Sequence, residues 1–518
     1  MKNSVLLRGF FIFILCIVFA AGLYAQDFGF GFGDDGGGDE TVSGSRSGVS
    51  VSIGGETAVE LAPYVHDFGK KDGEGISFWD MVSANVNFSV AAGNVDAYTA
   101  FNLNADALRE LWDKSPLLND PSYTPKFMDE AFLRAFIGPV NIEAGLRKLS
   151  WGKADSLGPL DVINPLDYTD LRNISDLQAL KIARPLVHVT WNPGGFSKLE
   201  AVFIPNFAGH RFAREGRWVS SQFSDMADMV GKEIMNGLLP YMTMIPPEYV
   251  PLMSSMYSQF AGSFSPEFPD TSGLGYFQTG LRFTATVGPA DIGAQYFYGN
   301  LFQPDVIFPG INIFIGDLIN KNLPLFSEGT SPDPSALYTG NPALIYKINY
   351  NRYHQIGVDY AQVLSGFNFR AELALHLTED LGGSDGAVRN PFIGWSLGFD
   401  RDLFWGINAN IQCNETIRLF NGKVGNNPIL DCEADTNLTS TRLTMRLSKK
   451  FLRDELESSA TVIFDIENLD SYIIPALVWT IGPMAAELSA GVFVGNKDGD
   501  LGQYWENSFV KLGVKYTF

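Results

Sequence analysis

From residue 49 to the end of the chain, alternation of apolar and polar residues dominates. Phe367, Phe369, Ala371, Leu373, Leu375 and Leu377 are interleaved with Asn368, Arg370, Glu372, Ala374 and His376. Trp405, Ile407, Ala409 and Ile411 alternate with Gly406, Asn408, Asn410 and Gln412, and Leu443, Met445 and Leu447 with Arg442, Thr444 and Arg446. A period of two places each set on its own face of a strand, one apolar and one charged. Eighteen segments read this way: 49–65, 77–91, 94–104, 128–138, 139–150, 184–193, 196–204, 275–288, 289–300, 348–364, 367–378, 392–402, 404–414, 438–450, 456–467, 471–482, 484–495 and 507–518. The connections between them alternate. Short ones include Gly138-Pro139, Asn192 to Gly195, Gly288-Pro289, Ser365-Gly366 and Gly482-Pro483; long ones include 105–127, 151–183, 205–274, 301–347 and 415–437. The pattern predicts an all-β fold, a transmembrane antiparallel β-barrel of about 16–18 strands over 49–518. Single-chain barrels of bacteria have an even strand number, short periplasmic turns and longer outer loops. Both chain ends then lie on the periplasmic side.

One long loop carries a different period. Phe223, Met226, Met229, Val230, Ile234 and Leu238 recur at helical spacing within 219–239, and Met242, Met244, Met253 and Met256 follow. This loop is expected to be partly helical. Its bland role is to pack on the barrel rim; its sharper role is a lid over an apolar ligand, since methionine adapts to varied apolar partners.

Composition supports a barrel over a set of soluble domains. The 518 residues include 40 Phe, 19 Tyr, 9 Trp and 53 Gly, at a mean hydropathy of only +0.03. Beyond the first 25 residues no apolar run is long enough to span a bilayer as a helix. Those first residues are expected to be an export signal: Lys2 and Arg8 precede the apolar stretch Phe10 to Leu23, with a small-residue end at Ala25. Residues 26–48, with their Phe-Gly repeat and Gly36-Gly37-Gly38, read as a flexible periplasmic linker. The formal net charge of −21 argues against nucleic acid as a partner, because neutralising phosphates needs a basic surface. Cys16 falls in the signal, leaving Cys413 and Cys432 either to pair in an oxidising envelope or to stay free.

The chain ends on a one-sided apolar strand. Val510, Leu512, Val514, Tyr516 and Phe518 alternate with Lys511, Gly513, Lys515 and Thr517. This resembles the terminal strand that outer-membrane barrels present to the barrel-assembly machinery. A second stretch carries Gly145-Leu146-Arg147, Trp151-Gly152, Asp155, Asp161, Asn164-Pro165 and Asp167. Here the chain resembles the porin-like outer-membrane families of Gram-negative bacteria and spirochaetes. The resemblance covers about thirty residues plus the last strand. It implies a cell outer-membrane location, contact with outer-membrane lipids, and passive or selective passage of a small-molecule solute.

By parity, Arg134, Glu143, Arg147, Arg282, Arg370, Glu372, Arg442, Arg446 and Glu487 point into the lumen, with Lys511, Lys515, Asp400, Asp465 and Glu467. They are the pore-lining candidates, able either to set an ion preference or to pair for stability. Trp151, Asp155, Asp161, Asn164 and Asp167 are candidates for a constriction on a loop folded inward. The acids of 155–176 also resemble a hard-cation site, but their spacing fits no defined calcium loop, and turn-capping is the better reading. His210, Arg211, Arg214 and Arg217 form a basic cluster suited to an anionic head group. The five histidines sit in no catalytic motif, so no enzyme activity and no metal or other cofactor is expected. Three functions stay open: a channel, a carrier for apolar molecules such as fatty acids using 219–256 as its lid, and a surface adhesin working through its long loops. The lumen separates them, since a channel needs a polar interior and a carrier an apolar pocket.

Overall fold

A computed structural model describes residues 49–68, 81–112, 123–221, 232, 236, 268–307, 347–428 and 430–518. The expected signal and linker, and nearly all of the Met-rich segment 219–256, lie outside the described residues. Eighteen strands form one sheet. In chain order they are β1 (Val49–Leu61), β2 (Val82–Ala92), β3 (Val95–Leu103), β4 (Met128–Ile137), β5 (Val140–Arg147) and β6 (Arg184–Gly194). Then come β7 (Ser197–Ile204), β8 (Gln278–Val287), β9 (Ala290–Asn300), β10 (Arg352–Leu364), β11 (Phe367–Thr378) and β12 (Phe392–Asp402). The last six are β13 (Ile407–Arg418), β14 (Thr439–Phe451), β15 (Leu456–Asp465), β16 (Asp470–Ile481), β17 (Met484–Gly495) and β18 (Phe509–Thr517). Each pairs antiparallel with its neighbours in sequence, and β1 pairs with β18 from Glu56↔Thr517 to Leu61↔Leu512, closing the sheet. Closure removes the two raw edges that an open sheet would leave unpaired.

Every long connection lies at one end; the other end has only short turns, and a single short hairpin, 466–469, joins the long connections. Gly138-Pro139, Gly288-Pro289 and Gly482-Pro483 share one design: glycine takes φ of +58°, +61° and +56° in turn, and proline follows. That left-handed first position is what a two-residue hairpin of the II′ kind needs. Two expected boundaries are corrected here. Trp405 belongs to a turn, at φ +64°, and β13 begins at Ile407. Glu467 lies beyond the end of β15 and bonds Thr439 and Thr441, on the outward parity of β14, so it is not a lumen residue. A helix that the alternation did not signal, α1 (Ala105–Trp112), follows β3; Leu108 packs on Val82 and Leu103 at the barrel's outward face.

The outward face is apolar. Leu133, Ile137, Leu281, Ile356, Val358, Leu373, Leu488 and Leu512 stand exposed there. Rings gather at two heights. Phe367, Phe369, Phe399, Phe404, Trp405 and Trp479 mark the short-turn end. Phe203, Phe277, Tyr296, Tyr298 and His354 mark the loop end. On β13 the outward residues between these heights are Ile407, Ala409, Ile411 and Cys413, ended by Glu415, which accepts from the Trp395 indole at 2.6 Å. Eight residues of tilted strand rise about 20 Å, close to the ~25 Å apolar band of an outer-membrane barrel.

Candidate functional site: the lumen and the loop that crosses it

The lumen wall carries the charge. Arg134, Glu143, Arg147, Arg282, Arg370, Glu372, Arg442, Arg446 and Glu487 all fall on the inward parity, and each of these arginines pairs with a carboxylate. Arg134 holds Glu143 at 2.6 Å and Arg147 holds Glu130 at 2.8 Å. Glu143 also bonds His188 at 3.1 Å, which reaches Glu200 at 3.2 Å, forming a lateral chain across β4 to β7. Arg282 is buried between Gln295 and Asp359, at 2.8 and 2.7 Å. Arg370 bridges Asp400 at 2.7 Å and Asp155. Arg442 lies 3.5 Å from Asp500 and 3.7 Å from Asp465; Arg446 pairs with Glu457 at 2.6 Å, and Glu487 with Lys511 at 2.9 Å. Parity located these side chains but gave no partner for any of them. The partners are on other strands or on a loop.

The connection between β5 and β6, residues 148–183, folds into the barrel. Its stem is fixed by Asn164, which is buried. The Asn164 Oδ1 accepts from Leu149 N at 2.7 Å, while its Nδ2 donates to Arg147 O at 3.0 Å and Ile182 O at 2.9 Å, so one amide ties both legs together. Trp151 is buried beside Val162, Ile163, Leu186, Val202, Ile204, Phe297 and Tyr353. The chain then runs to inward groups as far round as β13, seven strands beyond β6. Glu372 accepts from the amides of Lys153, Ala154 (2.7 Å) and Leu160 (3.4 Å). Gln412 Oε1 accepts from Asp155 N at 2.8 Å and Ser156 N at 3.0 Å. Asn410 donates to Asp155 at 2.8 Å, and Asn414 to the Ser156 hydroxyl at 3.0 Å. Gln355 donates to Pro159 O at 2.6 Å and Gln295 to Leu160 O at 2.9 Å. The two glycines of the strap are required by this dock. A Cβ at Gly152, already at φ +103°, or at Gly158 would fall on the Glu372 carboxylate.

The remaining acids of the loop do not converge. Asp161 pairs with Lys181 at 2.7 Å, Asp167 with Arg211 at 2.8 Å and Asp170 with Arg172. Asp176 caps α2 (Leu177–Leu180) by accepting from Ala179 N at 3.1 Å. Among the described residues no group of three metal-type ligands gathers. Cys413 and Cys432 are unpaired.

The basic cluster is likewise taken up by the chain. His210 is enclosed, its Nδ1 accepting from Leu166 N at 2.9 Å, and burial pushes its pKa down to about 3. Burial alone would raise the Asp167 carboxyl, but Arg211 and Lys126 hold it below the usual carboxylate range. Arg211 also stacks on Tyr123 at 4.3 Å, Arg217 stacks on Tyr64 at 4.5 Å and pairs with Asp67, and Arg214 lies 5.3 Å from the Phe268 ring. Sequence parity missed a second inward dock altogether. Leu171, Ala213 and Trp218 pack with Ile463, Tyr472, Phe493, Leu501, Tyr504 and Phe509, so segments 166–176 and 211–218 lean on the wall opposite to the strap's own stem.

No family model and no curated protein matches the sequence. Solved structures similar over nearly the whole chain include the outer membrane channel DcaP of Acinetobacter baumannii, at 9% identity and a TM-score of 0.39, covering 92% of this chain and 99% of that one. A BenF-like porin from Pseudomonas fluorescens gives 8% and 0.42, covering 92% and 99%. The outer membrane protein OpdK from Pseudomonas aeruginosa gives 10% and 0.43, covering 90% and 99%. Superpositions this loose carry no information about solute or mechanism.

Proposed function

We propose that this chain is an outer-membrane channel through which small polar solutes pass. One observation carries the reading: a closed sheet turns an apolar, ring-bordered band outward and a wall of charged and amide side chains inward. A sheet exposing that band to water would be an aggregation surface, whereas in a bilayer the same band is the cheapest boundary. Inward apolar residues of the wall pack under the inward-folded loop segments, and the wall beside them carries charged and amide side chains, which favours passage over storage of an apolar cargo. The strap 151–163, held against β9 to β13, narrows the lumen, and Arg370 with Asp155 and Asp400 borders the gap. Residues 1–25 are read as a removed export signal, 26–48 as a periplasmic tether, and the terminal strand as the element handed to the assembly machinery. No chemical turnover is assigned. Planar-bilayer recording of the purified, detergent-folded protein tests the channel: discrete, ohmic steps are expected, and a correctly folded protein that leaves the bilayer electrically silent would overturn it.

A further inference from the structure

The outward face of the barrel strands carries three cations among the described residues. Arg352 is at the loop end, where its guanidinium donates to Phe277 O at 2.7 Å and to Gly275 O. Arg401 and Lys449 are the other two, and both are at the short-turn end, in one sector. Arg401 on β12 is level with Ala409, and Lys449 on β14 is level with Ile407, so β13 alone separates them. Strand spacing and rise put their Cα atoms roughly 12 Å apart, a gap that two long side chains close around one phosphate. Between them projects the turn of Phe404 and Trp405, exposed to 71% and 77%.

These two cations differ from the lumen arginines described above, each of which is held by a carboxylate. Arg401 rests over the Phe367 ring at 4.3 Å and Lys449 over the Phe451 ring at 5.1 Å, and neither has an acidic partner among the described residues. Among the described residues no nearby acid forms an ion pair with either cation. Asp402 faces the lumen, where Asn408 bonds it at 2.9 Å, and Glu457 is held by Arg446. Asp454 and Glu455 belong to the next turn, which has its own backbone at φ +70° at Asp454. A ring beneath a cation orients it without neutralising it, and the amphipathic stems of Arg and Lys lie along apolar surface with the charge at the boundary.

We propose that Arg401 and Lys449, with the Phe404-Trp405 turn, form a binding site for the headgroup phosphate of an anionic phospholipid in the periplasmic leaflet. The acyl chains lie along Ile407, Ala409 and Ile411, and the headgroup sits at the aromatic border. The site rests on the reading of the barrel as membrane-spanning, and it names one lipid class at one sector instead of an undifferentiated annulus. A phosphodiester with no other charge fits two unpaired cations; a zwitterionic headgroup brings its own ammonium and competes with them.

The test is native mass spectrometry of the full protein released from micelles doped with phosphatidylglycerol or phosphatidylcholine. Wild type is expected to keep one phosphatidylglycerol under activation that strips phosphatidylcholine. Arg401→Gln with Lys449→Gln is expected to weaken that retention on the order of tenfold, while Arg352→Gln leaves it unchanged. Equal retention of the two lipids, or retention untouched by the double substitution, would overturn the site. Heat-modifiable gel mobility and single-channel conductance of the same variants are read in parallel. A folded, conducting double variant leaves the channel standing whichever way the lipid result falls, whereas a silent wild type removes the channel and not the lipid preference.

Discussion

Three residues of the lumen and its inward-folded loops each make a separate prediction. Glu372 spends its carboxylate on three backbone amides of the strap. Glu372→Gln puts an amide N–H against those donors and leaves at least one unsatisfied, a penalty of about 1–3 kcal/mol. The expected result is higher open-channel noise and larger conductance in bilayer recordings, and Gly152→Ala, which crowds the same carboxylate, should do likewise. Arg370 faces two acids, Asp155 and Asp400. Reversing it together with Arg147 and Arg442 to Glu strands their partners and makes that part of the lumen acidic. The reversal potential in a salt gradient should move toward cation selectivity. His210 is neutral in the fold, with a pKa near 3 against about 6.5 in an unfolded chain. Its contribution is therefore intact above about pH 6.5 and falls as pH drops toward 3, with about 2 kcal/mol lost at pH 5. Protease protection of the 205–221 segment should fall between pH 7 and 5, and His210→Asn, which keeps an acceptor for Leu166 N, should flatten that dependence.

The strand is the scale at which the sequence speaks most clearly. Each of the eighteen alternating segments corresponds to a strand, because a one-residue slip would turn every apolar side chain into the lumen. The alternation is blind to what ends a strand. Trp405 continues the apolar parity of β13 yet sits in the turn before it, and Glu467 continues β15 on paper but belongs to the hairpin beyond. The pairing of the lumen arginines was equally illegible. Arg370 and Asp155 are 215 residues apart, and no local pattern links them. The strap was legible only as a cluster, Trp151-Gly152 through Asn164-Pro165, whose meaning came from resemblance. Its physical reasons, the Asn164 clamp and the space that Gly152 leaves for Glu372, appear only in three dimensions. The last strand is the one to test. Val514 faces outward between Val59 of β1 and Ala486 of β17. Val514→Asp should destabilise the seam by less than the ~2–4 kcal/mol of a cation at the midplane. Phe518 exchanges both backbone bonds with Gly55, at 2.9 Å each, so removing it unpins the foot of the closing seam. Both variants should show a loss of the heat-modifiable, folded band on gels.

Taken whole, the molecule separates two tasks by face. The outer surface needs only to be apolar and bordered by rings, a coarse specification that any of several residues meets at each position. The inner surface is specific, since a carboxylate or amide at Glu372, Gln412 or Asn164 has partners that one other side chain would not serve. Tolerance to substitution should therefore differ sharply between neighbouring positions of the same strand. The strap adds a constraint in time. Its anchors come late in the chain: Glu372 follows Lys153 by 219 residues and Gln412 follows Asp155 by 257. Contacts so far apart in sequence are slow to form, and here they await strands β11 and β13. Until those strands are laid down, residues 151–163 have nowhere to dock. The aperture thus acquires its width later than β5 and β6, the strands that carry it, and a nascent barrel passes through a stage in which part of its wall exists and its filter does not.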